Sequence, residues 1–408
     1  MKILHINCSD RGSTGKIVAD ISSYADKCGN ESFLCTPHVT SESAIIKKKK
    51  VCVRYEQGVY RRISSVLGLR YGFAPIPTAK ILRYIKKIKP DVVHLHSINC
   101  SMVNIYKLLE FLKKNDIPTV VTNHAEFFYT GSCSHAYECD KWMTGCGSCA
   151  DFKKQAASRF FDRTATAWSK MKTAFEGFKR IKIVSVSPWV MERSEKSPIM
   201  DGIDQCTVQN GLNIEVFSAV DGQEIRNKYN IKDNEKILLC VAAFFSPCLH
   251  DNVKGSEYLV DIARRVQPYN IRVLVIGPYS TLPEDLPENL VTVGPVYDQN
   301  ELAKYYSAAD LSIITSKRET FSMPVAESLC CGTPIVGFKA GGPESIAIKE
   351  FSELFEQGDI SGLTDAIVSD WINKKDQLGA ENISSVAKNK YASDIMAKHY
   401  LSIYKELI

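Results

Sequence analysis

What the sequence lacks narrows the reading first. No run of about 18 apolar residues occurs, so no segment reads as a membrane-crossing helix. The opening MKILHIN has the alternation of a strand rather than the layout of a signal peptide, and the expectation is a cytoplasmic chain. There is no GxGxxG fingerprint. The loop SDRGSTGK superficially suggests a phosphate-binding P-loop, but only two residues separate Gly12 from Gly15-Lys16, where that motif has four. No D-x-D pair falls in a suitable loop, so a divalent metal at a phosphate group is not expected. The charge is nearly balanced, 51 Lys and Arg against 46 Asp and Glu, and no nucleic-acid-binding motif accompanies the net +5.

What is present describes an ordinary globular chain of 408 residues, 45% hydrophobic and 24% charged, long enough for two domains. Strands alternate with helices along its length, which argues for parallel sheets covered on both faces. The basic residues are unevenly spread: Lys47 to Lys50 form a run, followed by Arg61, Arg62, Arg70, Lys86, Lys87 and Lys89. The run reads either as a solvated face or as contact with anionic lipid headgroups, which would place the chain at the inner face of a membrane. Cysteine is plentiful, 14 in all, and Cys8, Cys240, Cys330 and Cys331 sit in apolar contexts as buried thiols.

The most informative stretch is LSIITSKRETFSMPVAESLCCGTPIVGFKAGGPE, Leu311 to Glu344. Leu311 to Thr315 is an apolar strand, and Ser322 stands where it would cap a helix with Pro324 in its first turn. Gly332 would end that helix in a left-handed cap before the strand Ile335 to Phe338. Such a helix opens at the carboxyl end of a strand, where ligands of open α/β sheets bind. The N-H groups of Phe321, Ser322 and Met323 would hold a phosphate there, and Glu327, one turn inside, suits the hydroxyls of a polyol. A ligand with both features is a sugar nucleotide.

The spacing of Glu319 and Glu327, with seven residues between them and followed by GTPIV and GG, resembles the retaining glycosyltransferases of the GT-B fold, family 4, of the bacterial polysaccharide-biosynthesis type. The resemblance implies two Rossmann-like domains facing across a cleft: residues 1–210 on the acceptor side, with the helix of 390–408 packing back on them, and 211–389 binding the donor. The segment TVQNGLNIEVF resembles the family's junction between domains. The resemblance gives Glu319 a contact to the transferred sugar, Glu327 a contact to the nucleotide ribose and Lys254, in KGSEYL, a contact to the donor diphosphate. It makes Gly12 and Gly15 backbone that closes over the donor, and Gly277 and Gly294 places where the nucleotide approaches closely. His124, after the strand VVTN, matches the family's His-Asp pair, although Ala125 stands in the Asp position and Ala243 where the family has an Arg. His94 and His96 read either as cleft-lining or as structural imidazoles.

Cys133, Cys139, Cys146 and Cys149 form C-x5-C-x6-C-x2-C in 17 residues. In a cytosolic chain a structural zinc explains such clustering better than disulfides, with His135 as a substitute ligand and free thiols or a redox-sensitive pair as the alternatives. No cofactor is expected for catalysis. The function implied is transfer of a sugar from a UDP- or GDP-type donor to a glycan or lipid-linked acceptor in surface polysaccharide biosynthesis. The rivals are a nucleotide-sugar epimerase or hydrolase of the same fold, and a zinc-containing binding protein with impaired catalysis.

Overall fold

The computed structural model describes residues 1–248, 253–280 and 282–408. The expected loop between the strand at Lys236 and Lys254 lies partly outside them. The chain divides into two compact units, Met1–Gly211 with Ser393–Ile408, and Leu212–Ala392.

The first unit holds a seven-stranded sheet built from β1 (Lys2–Ile6), β2 (Glu31–Thr36), β3 (Ile46–Lys50), β4 (Val92–Leu95), β5 (Thr119–Asn123), β6 (Ile181–Ser185) and β7 (Asp204–Thr207). The spatial order is β3-β2-β1-β4-β5-β6-β7, and all pairings are parallel. The chain winds outward from β1 in one direction and then from β4 in the other, so the switch point lies between β1 and β4. Helix Gly12–Lys27 packs against the C-terminal helix Ser393–Leu407, and Ile3, Ile17, Ile21, Val120 and Tyr400 share one buried core there.

The second unit repeats the plan with β8 (Lys236–Val241), β9 (Ile271–Ile276), β10 (Leu290–Gly294), β11 (Leu311–Ile314), β12 (Ile335–Phe338) and β13 (Ser352–Phe355). Its order is β10-β9-β8-β11-β12-β13, again all parallel, with the switch point between β8 and β11. The central strands are apolar runs such as LSII and IVGF, as burial on both faces requires, and Leu238, Val273, Leu311 and Val336 are fully buried.

Three strands carry no apolar signal. β3 is IKKKK, β7 is DQCT and β13 is SELF; β3, β7 and β13 stand at sheet edges, where one flank of the strand is open to solvent. The lysine run is thus an edge strand. Lys47 pairs with Glu31 at 2.7 Å, while Lys48 turns inward to Asp10 at 2.9 Å, with both of the latter side chains less than a tenth exposed.

Candidate active site

In the second unit the site is built at the switch point of the sheet. Lys254 precedes helix Ser256–Val266, and Glu319 lies in the loop after β11; the Nζ to Oε1 distance is 2.6 Å. Both side chains are about a fifth exposed or less, 22% and 15%, so the pair is shielded without being sealed. Gly255 makes the approach feasible. It has φ +60°, and a Cβ on it would lie 2.0 Å from the Thr315 carbonyl oxygen, so only glycine lets this loop lie on the end of β11. The Thr315 hydroxyl then donates to the Lys254 carbonyl at 2.9 Å.

Glu319 is held at both ends. Ser316 donates its hydroxyl to Oε1 at 2.8 Å, the Glu319 N-H donates to Ala340 O at 2.9 Å, and the Gly342 N-H donates to Glu319 O at 2.8 Å. The second glycine of the GG turn therefore fixes the carboxylate-bearing loop from the far side. Helix Met323–Cys330 opens four residues after Glu319, with Pro324 in its first turn.

The expected cap is not made. Ser322 has φ +77° and ψ +83°, outside the extended backbone that a side-chain cap needs, and its buried hydroxyl has no partner among the described residues. The N-H groups of Phe321, Ser322 and Met323 likewise meet no acceptor among the described residues, so they remain available for an anion. Ser322 is one of 11 non-glycine residues with positive φ among the described residues, a conformation held only where the surroundings enforce it.

Glu327 is buried on the same helix and accepts a hydrogen bond at Oε2 from the Tyr306 hydroxyl, 3.0 Å away. Burial and the neighbouring Glu327 push the Tyr306 hydroxyl well above its ordinary pKa, so it stays a donor. Neither Tyr306 nor Ser316 stands out in the sequence. Tyr306 reads as one more aromatic of a helix face, and Ser316 as a strand-ending polar residue. Gly277 and Gly294 end β9 and β10, with the Gly277 N-H donating to Gly294 O at 3.0 Å, and a Cβ at Gly277 would lie 2.1 Å from Ala242 O.

In the first unit Gly12 and Gly15 are not in a loop. Helix Gly12–Lys27 begins at Gly12 itself, and Gly15 packs against the Asp10 backbone. His124 follows β5 and belongs to a line of imidazoles: His124 Nε2 lies 3.2 Å from His96 Nδ1, and His96 Nε2 lies 3.0 Å from His5 Nδ1. His94 is locked between the Tyr404 hydroxyl at 2.6 Å and the Thr122 hydroxyl at 2.7 Å. His94 and His96 are fully buried within the first unit, which favours the structural alternative. Burial lowers the pKa of His5 and His124 to about 3, which keeps both neutral.

Ala125 leaves the position after His124 without a carboxylate, and Glu126 does not supply one. It points into the unit, fully buried, and takes a two-pronged contact from Arg193 at 2.8 and 3.0 Å as well as the Ala136 N-H at 3.2 Å. Ala243, in the other replaced position, is the second residue after β8.

The cysteine-rich segment departs from its expected geometry. Among the described residues, the group of three or more His, Cys, Asp or Glu side chains with ligand atoms within 4.8 Å of one another is His5, His94 and His96. Cys133, Cys139, Cys146 and Cys149 are not gathered into a tetrahedral set. Burial, with the neighbouring cysteines of the segment adding to it, pushes the Cys133 and Cys146 thiols up to about 12, so a metal binding there would have to displace their protons. The histidine group does not replace it, because both ring nitrogens of His94 are already engaged.

Two all-parallel α/β units of this kind are the GT-B architecture, and solved GT-B structures match the whole chain. Sucrose-phosphate synthase from Thermosynechococcus elongatus aligns with a TM-score of 0.69 and 17% identity over 100% of this chain and 99% of that one. Anabaena HepE in complex with UDP-glucose gives 0.64 and 14%, covering 100% of both. At these identities the likeness is one of fold. Residues 14–215 match the model for Glycosyltransferase Family 4 and residues 235–370 that for Glycosyl transferases group 1, and the chain belongs to this glycosyltransferase family. Among sequence relatives, N-acetyl-alpha-D-glucosaminyl L-malate synthase of Bacillus anthracis is 26% identical over 50% of this chain and 54% of its own length. The D-inositol 3-phosphate glycosyltransferase of Mycobacteroides abscessus is 29% identical over 34% of this chain and 33% of its own. The matched stretch thus spans about half, or less, of the length of these relatives.

Proposed function

We propose that the chain transfers a sugar, with retention of anomeric configuration, from a UDP- or GDP-type donor to a hydroxyl of a glycan or lipid-linked acceptor in surface polysaccharide biosynthesis. The observation that carries the reading is the Lys254–Glu319 pair beside open helix N-H groups at the switch point of the second sheet. An ammonium and aimed N-H groups stabilise the negative charge that develops on a departing diphosphate, and each such donor contributes ~3 to 4 kcal/mol to lowering a barrier. In this mechanism the bond from the anomeric carbon to the diphosphate oxygen breaks, and the acceptor oxygen bonds to the same face. The acceptor proton passes to the departing diphosphate, so no protein base is needed. Glu319, held by Ser316 and the Gly342 N-H, orients the sugar and stabilises the positive anomeric centre. Glu327 receives the ribose hydroxyls, and His124 contacts the transferred sugar as a neutral imidazole.

The chain is placed at the cytoplasmic face of an anionic membrane in this reading. Among the described residues no helix is long and apolar enough to cross one. Two of the four lysines first considered for lipid contact are engaged with Glu31 and Asp10, so any such contact falls to other basic residues.

A thermal-shift panel of UDP, GDP, ADP, CMP and dTDP tests the donor site, since a ligand at ~100 times its dissociation constant adds roughly 2.7 kcal/mol of stability. One diphosphate should shift the melt, and none doing so would overturn the reading. Glu319→Gln should lower turnover by about 100-fold or more while leaving affinity for that nucleotide equal or tighter, because Lys254 loses its competing carboxylate. Equal losses in turnover and affinity would remove Glu319 from the proposed role.

A further inference from the structure

Within the first unit lies a cavity of ≈ 1050 Å³, walled by helix Glu56–Leu67 and by Asn99, Cys100 and Ser101 after β4, with His38 after β2 at one side. It therefore opens at the carboxyl edge of the sheet, next to the switch point between β1 and β4. Three of its lining residues are arginines, Arg61, Arg62 and Arg70, and none is acidic among the described residues.

The arginines are uncompensated. No ion pair or hydrogen bond engages Arg61 or Arg62 among the described residues, and Arg70 gives one N-H to the Gln155 carbonyl at 3.3 Å while its guanidinium lies 5.6 Å from the Tyr71 ring centre. The lining Ser64 adds a buried hydroxyl without a partner among the described residues. Guanidinium groups on one concave wall repel each other and raise a positive potential that an anion relieves. Their planar forks match phosphate oxygens two at a time, and three of them suit a group of two or three negative charges better than a single carboxylate.

We propose that this cavity holds a phosphate or diphosphate group carried by the sugar acceptor. The proposal rests on the glycosyltransferase reading and names the acceptor class for it. Two sources share this chemistry, a lipid-linked diphosphate and a soluble sugar phosphate. Beside the cavity the same helix exposes Val59, which also lines it, and then Ile63 and Val66, at i, i+4, i+7 and 52%, 38% and 42% exposed, an apolar stripe leading from the cavity that only the lipid-linked source would use.

The test is titration calorimetry of the full chain with inorganic pyrophosphate and, separately, farnesyl diphosphate. It is run in the Lys254→Gln background so that the donor-side contact is removed. Pyrophosphate should still bind there, and adding Arg61→Gln with Arg62→Gln should weaken it at least 10-fold. Both arginines are solvent-exposed, so the thermal melt should be unchanged. Loss of pyrophosphate binding with Lys254→Gln alone, or binding indifferent to the arginine changes, would overturn the proposal. Farnesyl diphosphate binding about 10-fold tighter than pyrophosphate points to the lipid-linked source, and equal affinities to the soluble one. The nucleotide panel separates the two readings. A nucleotide shift without pyrophosphate binding sinks the cavity assignment alone, and pyrophosphate binding without any nucleotide shift sinks the donor reading.

Discussion

Glu319 shows how far single residues can be read before a structure is known. Its spacing to Glu327 and the glycines after it mark it within one continuous stretch. Its partner Lys254 is 65 residues away, and nothing in either local sequence announces a contact of 2.6 Å. The same holds for Tyr306 and Glu327, which meet only because two helices pack. Glu126 illustrates the converse. It stands beside a position where a carboxylate was expected, yet it is spent on Arg193 in the interior. Removing one member of such a pair leaves a buried charge, which typically costs about 3 to 5 kcal/mol. Glu126→Ala should therefore lower the urea midpoint of the first unit strongly, whereas Glu319→Gln should not; chemical denaturation followed by circular dichroism measures both.

At the scale of elements, apolar strands and capped helices were legible and polar ones were not. LSII and IVGF carry their burial in their composition, whereas IKKKK and DQCT take their place as strands from backbone pairing to a neighbour. Asn104 shows a working signal: its side chain accepts the Lys107 N-H at 3.1 Å, and the helix starts directly after it at Ile105. Ser322 shows a signal overridden, since the loop bearing Glu319 forces it into the left-handed region. The cysteine-rich segment is held now by contacts such as Trp142 Nε1 donating to Cys139 O at 2.6 Å and the Cys149 N-H donating to Asp162 at 2.6 Å. If zinc belongs there, the purified chain should carry close to one equivalent by elemental analysis, and chelation should lower the melting temperature. Metal-free protein with an unchanged melt would leave the free-thiol alternative.

At the scale of the molecule, the doubled parallel plan was legible because each unit repeats strand, helix and glycine turn. The histidine line was not, because its members come from β1, from β4 and from the end of β5. It has a global effect on stability. His5 and His124 hold pKa values near 3 in the folded chain against about 6.5 when unfolded, so between these values the unfolded state binds more protons. Their contribution is complete above pH 6.5 and is lost as pH falls, by about 2 kcal/mol for each at pH 5. Burial lowers His94 and His96 in the same direction. Thermal melts should fall steeply from pH 7 to pH 5, and His5→Gln should flatten that slope; a slope unchanged by the substitution would separate it from these imidazoles.

The lysine strand also has a colloidal consequence. β3 ends its sheet with an open row of backbone donors and acceptors, the kind of border onto which a strand of another copy can add. Lys47, Lys49 and Lys50, all exposed, give that border a density of like charge that a second copy would have to bring against itself. Paired with Glu31 on the neighbouring strand and with Asp10 in the segment after β1, yet cationic on its exposed side, this strand keeps its place in the fold while discouraging fibrous growth from its edge.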